Sequence, residues 1–364
     1  NHEYLAYKGY ILRNTGDFEN ALSSMNKAIQ LNPGTGWYYV EAVVSAYATG
    51  DLTLSKEYCI KALRFGEGVL GFSNYEYVKG ILENLRTSEY TLSFKFRPDN
   101  KRLVYESDGT LCIPVPSGSL PYQDTDYKII NAELISVQKK SDTELIFLKP
   151  SGKGEVSIQC VVIKKPYSYS GEIKKANHRI ELPEAVKGYL KSYERLNLDS
   201  IIMKSRAAAL KGSSDIETIS NIIKWINSSK RKGKPPVWKT VDDIVTGKDV
   251  ECGTGSLLAV ALARACGIPA RQVWGPIDAG RSYSPENYLK GHAWFEFYLR
   301  GSGWIPVEQF DVSSIGLLPP SYIRMYTTDT DIYDSNPIRN IITIMQDGKW
   351  GDIVEFKKRV TEKD

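Results

Sequence analysis

Cys252 and His292 are the two residues whose types and settings carry the most chemistry in this chain. Cys252 heads the run Cys252-Gly-Thr-Gly-Ser-Leu-Leu-Ala-Val-Ala-Leu-Ala-Arg-Ala-Cys266. Within it Leu257, Leu258, Ala261, Leu262 and Ala265 recur with helical spacing, until Gly267 and Pro269 stop the pattern. A cysteine in the first turn of a buried helix meets unpaired backbone N–H groups and the positive end of the helix dipole, and both favour the thiolate. His292 lies in Gly291-His-Ala-Trp-Phe-Glu-Phe-Tyr-Leu299, which alternates like a strand. The loop Arg300-Gly-Ser-Gly303 and a second short run, Trp304-Ile-Pro-Val-Glu308, complete the reading of an antiparallel hairpin.

A loop centred near Arg300 and Gly301 makes paired residue numbers sum to about 600 or 602, which sets His292 opposite or nearly opposite Glu308. Both are even-numbered and share a face of the hairpin. A carboxylate beside an imidazole fixes its tautomer and stabilises the imidazolium. Thiol, imidazole and acid together are the parts of thiol acyl transfer. Trp294 and Glu296 fall on the same face, with Trp294 read as packing that shields the ring.

In order, the segments read Cys…Leu-x-Arg-Ala-x-Gly-Ile-Pro-Ala-Arg-x-Val…Gly-His-Ala-Trp-x-Glu-x-Tyr…Gly-Trp-x-Pro-Val-acid. This pattern, from about Ile216 to about Val312, resembles the transglutaminase-like superfamily, whose catalytic core is papain-like. The resemblance implies Cys252 as nucleophile, His292 as base and Glu308 as third member of a triad. The family usually has Asp where this chain has Glu308, and often Asp-Pro-Thr where this chain has Glu308-Gln-Phe; Asp311 is the substitute acid. No residue matches the family's upstream oxyanion-hole helper, which leaves the backbone N–H of Cys252 as the donor.

The implied chemistry is attack of a thiolate on an amide carbonyl, loss of an amine and a thioester intermediate. Water as acceptor makes a cysteine peptidase or amidase acting on peptide or isopeptide bonds. An amine as acceptor makes a crosslinking transamidase. Hydrolysis is the expectation, because the calcium sites and large accessory sandwiches of the animal crosslinking enzymes have no counterpart here. A reading of a different class is a non-catalytic interaction protein, with helical repeats docking a partner on a papain-like scaffold.

Three kinds of segment must position these residues. Gly16-Asp17 recurs as Gly50-Asp51, and Lys27-Ala28-Ile29 as Lys61-Ala62-Leu63, both at an offset of 34 residues. With Ala21 and Pro33, this period resembles the tetratricopeptide repeat, a helix pair with small alanines at the contact. Ser55 replaces the alanine expected from Ala21, and Asn74 to Asn84 suits a capping helix. Two units leave an apolar face uncovered, so the segment reads as a brace on the next domain or as a peptide-binding groove.

From about Glu89 the period changes to two: Tyr90–Phe96, then Leu111–Val115, Ile129–Val137, Glu144–Leu148 and Glu155–Ile163, separated by Gly- and Pro-containing turns. This predicts an antiparallel sandwich. Helices return from about Leu182, with a capping box at Ser214-Asp-Ile-Glu217, a stripe of Ile216, Ile219, Ile223 and Ile226, and a short helix over Val241–Val245. Ile338–Met345 and Ile353–Phe356 read as strands that extend the sheet of His292. The expected fold is multidomain: helical repeat pairs over 1–88, an all-β sandwich over 89–181 and an α+β papain-like core over 182–364.

Composition bounds the rest. Lys plus Arg number 47 against 43 Asp plus Glu, which gives no nucleic-acid footprint. The run Lys230-Arg-Lys-Gly-Lys234 reads as a solvated loop, or as a rim for an anionic partner. The five cysteines make no disulfide framework: Cys59, Cys112 and Cys160 read as buried thiols and Cys266 as a core residue of the Cys252 helix. With three histidines and no Cys-x-x-Cys or His-x-x-x-His spacing, neither a zinc site nor any other cofactor is expected. No apolar run is long enough to span a bilayer. The chain begins at Asn1 rather than Met, so its lack of a leader is uninformative, and its Lys-, Tyr-, Ser- and Ile-rich composition suits an exported bacterial protein. The expected partners are a peptide or protein substrate and, through the repeats, a further protein.

Overall fold

The structure, a computed structural model, describes residues 1–118, 120–140, 142–192, 196–233, 240–278, 289–319, 321–328, 336–347 and 357–360. Four helices open the chain: α1 (His2–Thr15), α2 (Phe18–Leu31), α3 (Gly36–Ala48) and α4 (Leu52–Leu63). Gly16 and Gly50 adopt φ of 89° and 78°, left-handed values that suit glycine. Asp17 and Asp51 then cap the next helices by accepting from the backbone N–H groups of Asn20 and Leu54. Ala21, Ala28 and Ala62 are fully buried, so neighbouring helices approach closely. Ser55 is equally buried, and its hydroxyl donates to the Val43 carbonyl at 3.2 Å, which removes the cost of the hydroxyl at an alanine position. A short α5 (Glu67–Leu70) and α6 (Phe72–Asn84) close the array.

Six strands follow: β1 (Ser88–Phe96), β2 (Leu111–Val115), β3 (Gln123–Ile130), β4 (Ala132–Lys140), β5 (Thr143–Pro150) and β6 (Val156–Lys164). The expected single strand over Ile129–Val137 is two strands in two sheets. The chain turns at Asn131, φ 63°, so that β3 pairs with β6 while β4 pairs with β5. Asn tolerates the left-handed region, and the alternating pattern runs through it without a break.

The third region contains α7 (Ser170–Lys174), α8 (Glu184–Lys187), α9 (Ile201–Leu210), α10 (Asp215–Ser229), β7 (Arg231–Lys232), α11 (Val241–Thr246), β8 (Asp249–Val250) and α12 (Cys252–Ala265). Then come β9 (Ala270–Asp278), β10 (Leu289–Leu299), β11 (Gly303–Val307) and β12 (Tyr326–Thr328), an antiparallel sheet of order β11-β10-β9-β12. Helix α12 is apolar almost all round because it is surrounded: α9, α10 and α11 cover it on one side, β9 and β10 on the other. Ser214 caps α10 by accepting from Glu217 N–H, and Ile219, Ile222, Ile223 and Ile226 are completely buried.

The chain end departs from expectation. Asn336–Asp347 is a helix, α13, in place of the strand expected over Ile338–Met345. Ile338, Ile341 and Ile344 recur every three residues and pack into the core of the β-sheets, while the buried Asn340 amide bonds to Val104 and Cys112 backbone. The β-branched content suggested a strand; the three-residue spacing is helical. β13 (Lys357–Val360) then pairs antiparallel with β1, making the sheet β13-β1-β6-β3, so it extends the sandwich and not the sheet of His292. The run Ile353–Phe356 lies outside the described residues. No helix among the described residues is long and apolar enough to cross a membrane.

Polar contacts also join the regions. Arg271 and Arg324, on the core, share the carboxylate of Glu296, and Arg271 also pairs at 2.7 Å with Asp142 of the β4–β5 turn. The repeats meet the core where Glu19 pairs with Lys174 and where Gly50 approaches Ser168 and Ser170.

Candidate active site

Glu251 is the N-cap of α12, with its backbone N–H donating to Thr254 Oγ1 at 3.0 Å, so Cys252 is the first helical residue. Its thiol is half-buried and lies within electrostatic reach of the His292 ring and the Ala293 backbone N–H. The hairpin that carries His292 pairs Phe295 with Val307 and Leu299 with Gly303. Those numbers sum to 602, and the ladder ends at Val307. Glu308 is thus the first residue beyond the ladder, two positions along from His292 but on its face. Glu308 Oε2 lies 2.8 Å from His292 Nε2, which leaves Nδ1 for the thiol.

Burial pushes the Cys252 thiol up. The hydrogen bond and charge of His292, with the Ala293 N–H, outweigh burial and hold the thiol below the ordinary cysteine range. Burial likewise opposes the His292 imidazolium. Hydrogen bonds to Cys252 and Glu308, with their charges, overcome it and raise the ring to about 9. The lowered thiol and the raised ring together favour a thiolate beside an imidazolium, the state in which sulfur is nucleophilic and the ring holds a proton to give. The other four thiols are held up by burial, Cys59 and Cys112 to about 12. Cys266 caps α12 instead of lying within it, half-buried beside the Ala207 carbonyl.

Asp311, the substitute acid, is turned into its own loop: its carboxylate accepts from Ser313 N–H at 2.9 Å and Ser313 Oγ at 2.6 Å. Trp294 is wholly buried, roughly parallel to the imidazole at 6.5 Å between ring centres. Glu296 shares the face but not the site, since Arg271 and Arg324 take its carboxylate. In the basic run, Lys230 donates to the Val245 and Gly247 carbonyls and Arg231 pairs with Asp249; Lys234 lies outside the described residues.

Three contributors escaped the sequence reading. Tyr322 donates to Glu308 Oε2 at 3.2 Å and sets its ring edge-on to His292 at 5.3 Å. It gets there because Gly275, opposite His292 on β9, has no side chain: a Cβ would lie 1.8 Å from the Ile323 carbonyl. Gln309 donates to the carbonyls of Cys252 (3.3 Å) and Ala293 (3.2 Å), tying the thiol's turn to the base's strand. Gln272 grips the same turn through Gly253 O and Ser256 Oγ, both at 2.7 Å. The only local signal was the polarity of Gln272 within strand β9; Gln309 lies in the turn after β11.

Residues 204–309 match the transglutaminase-like superfamily, and residues 2–35 match the tetratricopeptide repeat. An uncharacterised protein of Haemophilus influenzae is 30% identical over 158 residues, 36% of this chain and 42% of that protein, so the match spans about two fifths of the relative's length. Among solved structures, a candidate cysteine protease of Cytophaga hutchinsonii aligns at 16% identity and TM-score 0.48, covering 77% of this chain and 92% of that one. The periplasmic domain of TgpA from Pseudomonas aeruginosa aligns at 15% identity and TM-score 0.33, covering 64% and 89%. With its Cys, His and acid segments in the matched stretch, the chain carries a transglutaminase-like domain behind an N-terminal tetratricopeptide repeat.

Proposed function

We propose that the protein performs thiol-dependent acyl transfer on amide bonds, with hydrolysis of a peptide or isopeptide bond as its reaction. Cys252 is the nucleophile, His292 the proton carrier and Glu308 the group that orients the ring. The observation that carries this reading is the Cys252 thiol at a helix N-terminus, within electrostatic reach of a His292 ring that Glu308 holds at 2.8 Å. The Cys252 thiolate attacks the carbonyl carbon, and the backbone N–H of the first helical residue offers a donor to the oxyanion. The His292 imidazolium gives its proton to the departing amine, leaving a thioester. The neutral ring then takes a proton from water as its oxygen attacks, and the thiol is regenerated with the carboxylic acid. Residues 182–364 carry this chemistry, with the sheets of 89–181 and the repeats of 1–88 as supports.

The test uses the wild-type protein and Cys252→Ala with a diverse peptide library, with and without an added primary amine, read by mass spectrometry. Water-derived acids that need Cys252 support hydrolysis. Amine adducts in their place move the reading to transamidation. A Cys252 that alkylates with iodoacetamide no faster than Cys59, Cys112, Cys160 and Cys266 at neutral pH removes the enzyme reading and leaves an interaction scaffold.

A further inference from the structure

Residues 321–328 run between the sheet of His292 and the β-sheets of 89–181, and both sides hold them. On one side the backbone N–H groups of Ile323 and Met325 donate to the carbonyls of Pro276 and Trp274 on β9, each at 3.0 Å. On the other, Gln123 at the start of β3 grips Arg324 twice. Its Nε2 donates to the Arg324 carbonyl and its Oε1 accepts from the Arg324 N–H, both at 2.8 Å. The Ser117 N–H donates to the same carbonyl at 3.0 Å, and Ser117 Oγ reaches the Met325 carbonyl at 3.3 Å. Farther along, the Thr327 N–H donates to Thr143 Oγ1 of β5 at 3.0 Å. Gln123, Ser117 and Thr143 are buried, where a polar group left unpaired is costly, so these bonds fix the register of the segment.

That register decides what Tyr322 meets. Arg324 lies against Glu296 of β10 at 3.3 Å, and Tyr322, two residues before it, lies against Glu308 at 3.2 Å. The Tyr322 ring stands edge-on to both His292 and Trp294, at 5.3 and 5.4 Å. Glu308 needs such a partner. The β10–β11 ladder ends at Val307, and glutamate has several rotors, so one hydrogen bond to the imidazole leaves its carboxylate free to swing. Oε2 accepts from Tyr322 as well as facing His292 Nε2, and two contacts on one oxygen set its place. Burial, then the charge of Glu308, holds the Tyr322 hydroxyl well above the ordinary tyrosine range, so it keeps the proton it donates.

Given the thiol reading above, we propose that the β-sheets of 89–181 set the acid of the site: Gln123 and Ser117 hold the Arg324–Met325 backbone, this places Tyr322, and the Tyr322 hydroxyl fixes the Glu308 carboxylate on His292. Tyr322, Gln123 and Ser117 are positioning residues, and the sheets of 89–181 act as part of the site. Other charged and titratable groups face this chain of contacts. Cys252 and Glu251 of α12 face the imidazole side, Asp311 and Tyr47 of α3 face Tyr322, and Lys164 of β6 reaches Gln123 Oε1 at 3.3 Å.

The test is the pH profile of Cys252 alkylation by iodoacetamide in the full chain, read by mass spectrometry, with Tm measured beside it. Tyr322→Phe removes the hydroxyl and keeps the ring. A loosened Glu308 supports the imidazolium less, so the thiol ionises later and the acid limb should move to higher pH. The shift should be smaller than in Glu308→Gln, which removes the charge itself. Gln123→Leu, and the milder Ser117→Ala, should move the limb in the same direction. Gln123→Leu combined with Tyr322→Phe should move it no further than Tyr322→Phe alone, because both act through one hydroxyl. A limb that stays or moves to lower pH in Tyr322→Phe overturns the proposal. So do shifts that add in the double variant, or sandwich-side variants that lower Tm and leave the limb in place. If Gln123→Leu does not fold, Ser117→Ala decides that arm. A wild-type Cys252 that alkylates no faster than the other four cysteines overturns the thiol reading, and this proposal with it.

Discussion

Replacing Glu308 by glutamine keeps the side chain's shape and removes the charge 2.8 Å from His292 Nε2. A hydrogen bond to a charged group contributes ~1.5–3 kcal/mol. At ~1.4 kcal/mol per pKa unit, that is about one to two units of support for the imidazolium. His292 would fall from about 9 towards the ordinary histidine range, and the Cys252 thiol would rise as its cationic partner weakens. The thiolate–imidazolium pair exists above the lowered thiol pKa and below the raised histidine pKa, so the substitution narrows that window from both ends. The assay is the pH profile of Cys252 alkylation by iodoacetamide, followed by mass spectrometry. The expected outcome is a lower rate near neutral pH, converging on wild type in alkali, where the variant's thiol also ionises. In kcat/KM the alkaline limb moves down in pH. An unchanged profile in Glu308→Gln, together with a shifted one in Asp311→Asn, would refute the assignment of the acid.

Three further outcomes test the supports. Glu296→Gln leaves Arg271 and Arg324 buried with a weakened partner and should cost about 3 kcal/mol in urea unfolding; a loss under about 1 kcal/mol would mean Asp142 alone suffices. Gly275→Ala drives a Cβ into the Ile323 carbonyl and should displace Tyr322, so Cys252 alkylation slows and Tm drops together; wild-type values for both would show that the segment yields freely. Lys164 is buried over the Tyr122 ring at 4.1 Å, and burial, then the Arg324 charge, hold its pKa well below the ordinary lysine value. The unfolded chain therefore binds a proton that the folded one lacks between those two pKa values, so stability should rise with pH through that window. Lys164→Met should flatten the rise, as read from urea midpoints at several pH values.

The residues of the candidate site were legible in the sequence because each rests on a local rule. Cys252 follows from a helix start, His292 and Glu308 from strand alternation and the parity of a hairpin with a short loop. The repeats followed from a 34-residue period, and the order of helical, β and mixed regions from changes of apolar spacing. Local period failed at Asn131, which turned one expected strand into two; at α13 the period was helical and the β-branched composition misled.

Tertiary structure alone decided what meets across long separations. Tyr322 reaches Glu308 only because Gly275 lets the Ile323 backbone pass, and Gln309 links α12 to β10 by two carbonyls that no pattern marks. The pairing of β13 with β1 and a cavity between the repeats and the core belong to the same class. Periodicity reports which face of an element is apolar. It does not report which other face will cover it, because that depends on shape and on satisfying every buried polar group across the whole chain at once.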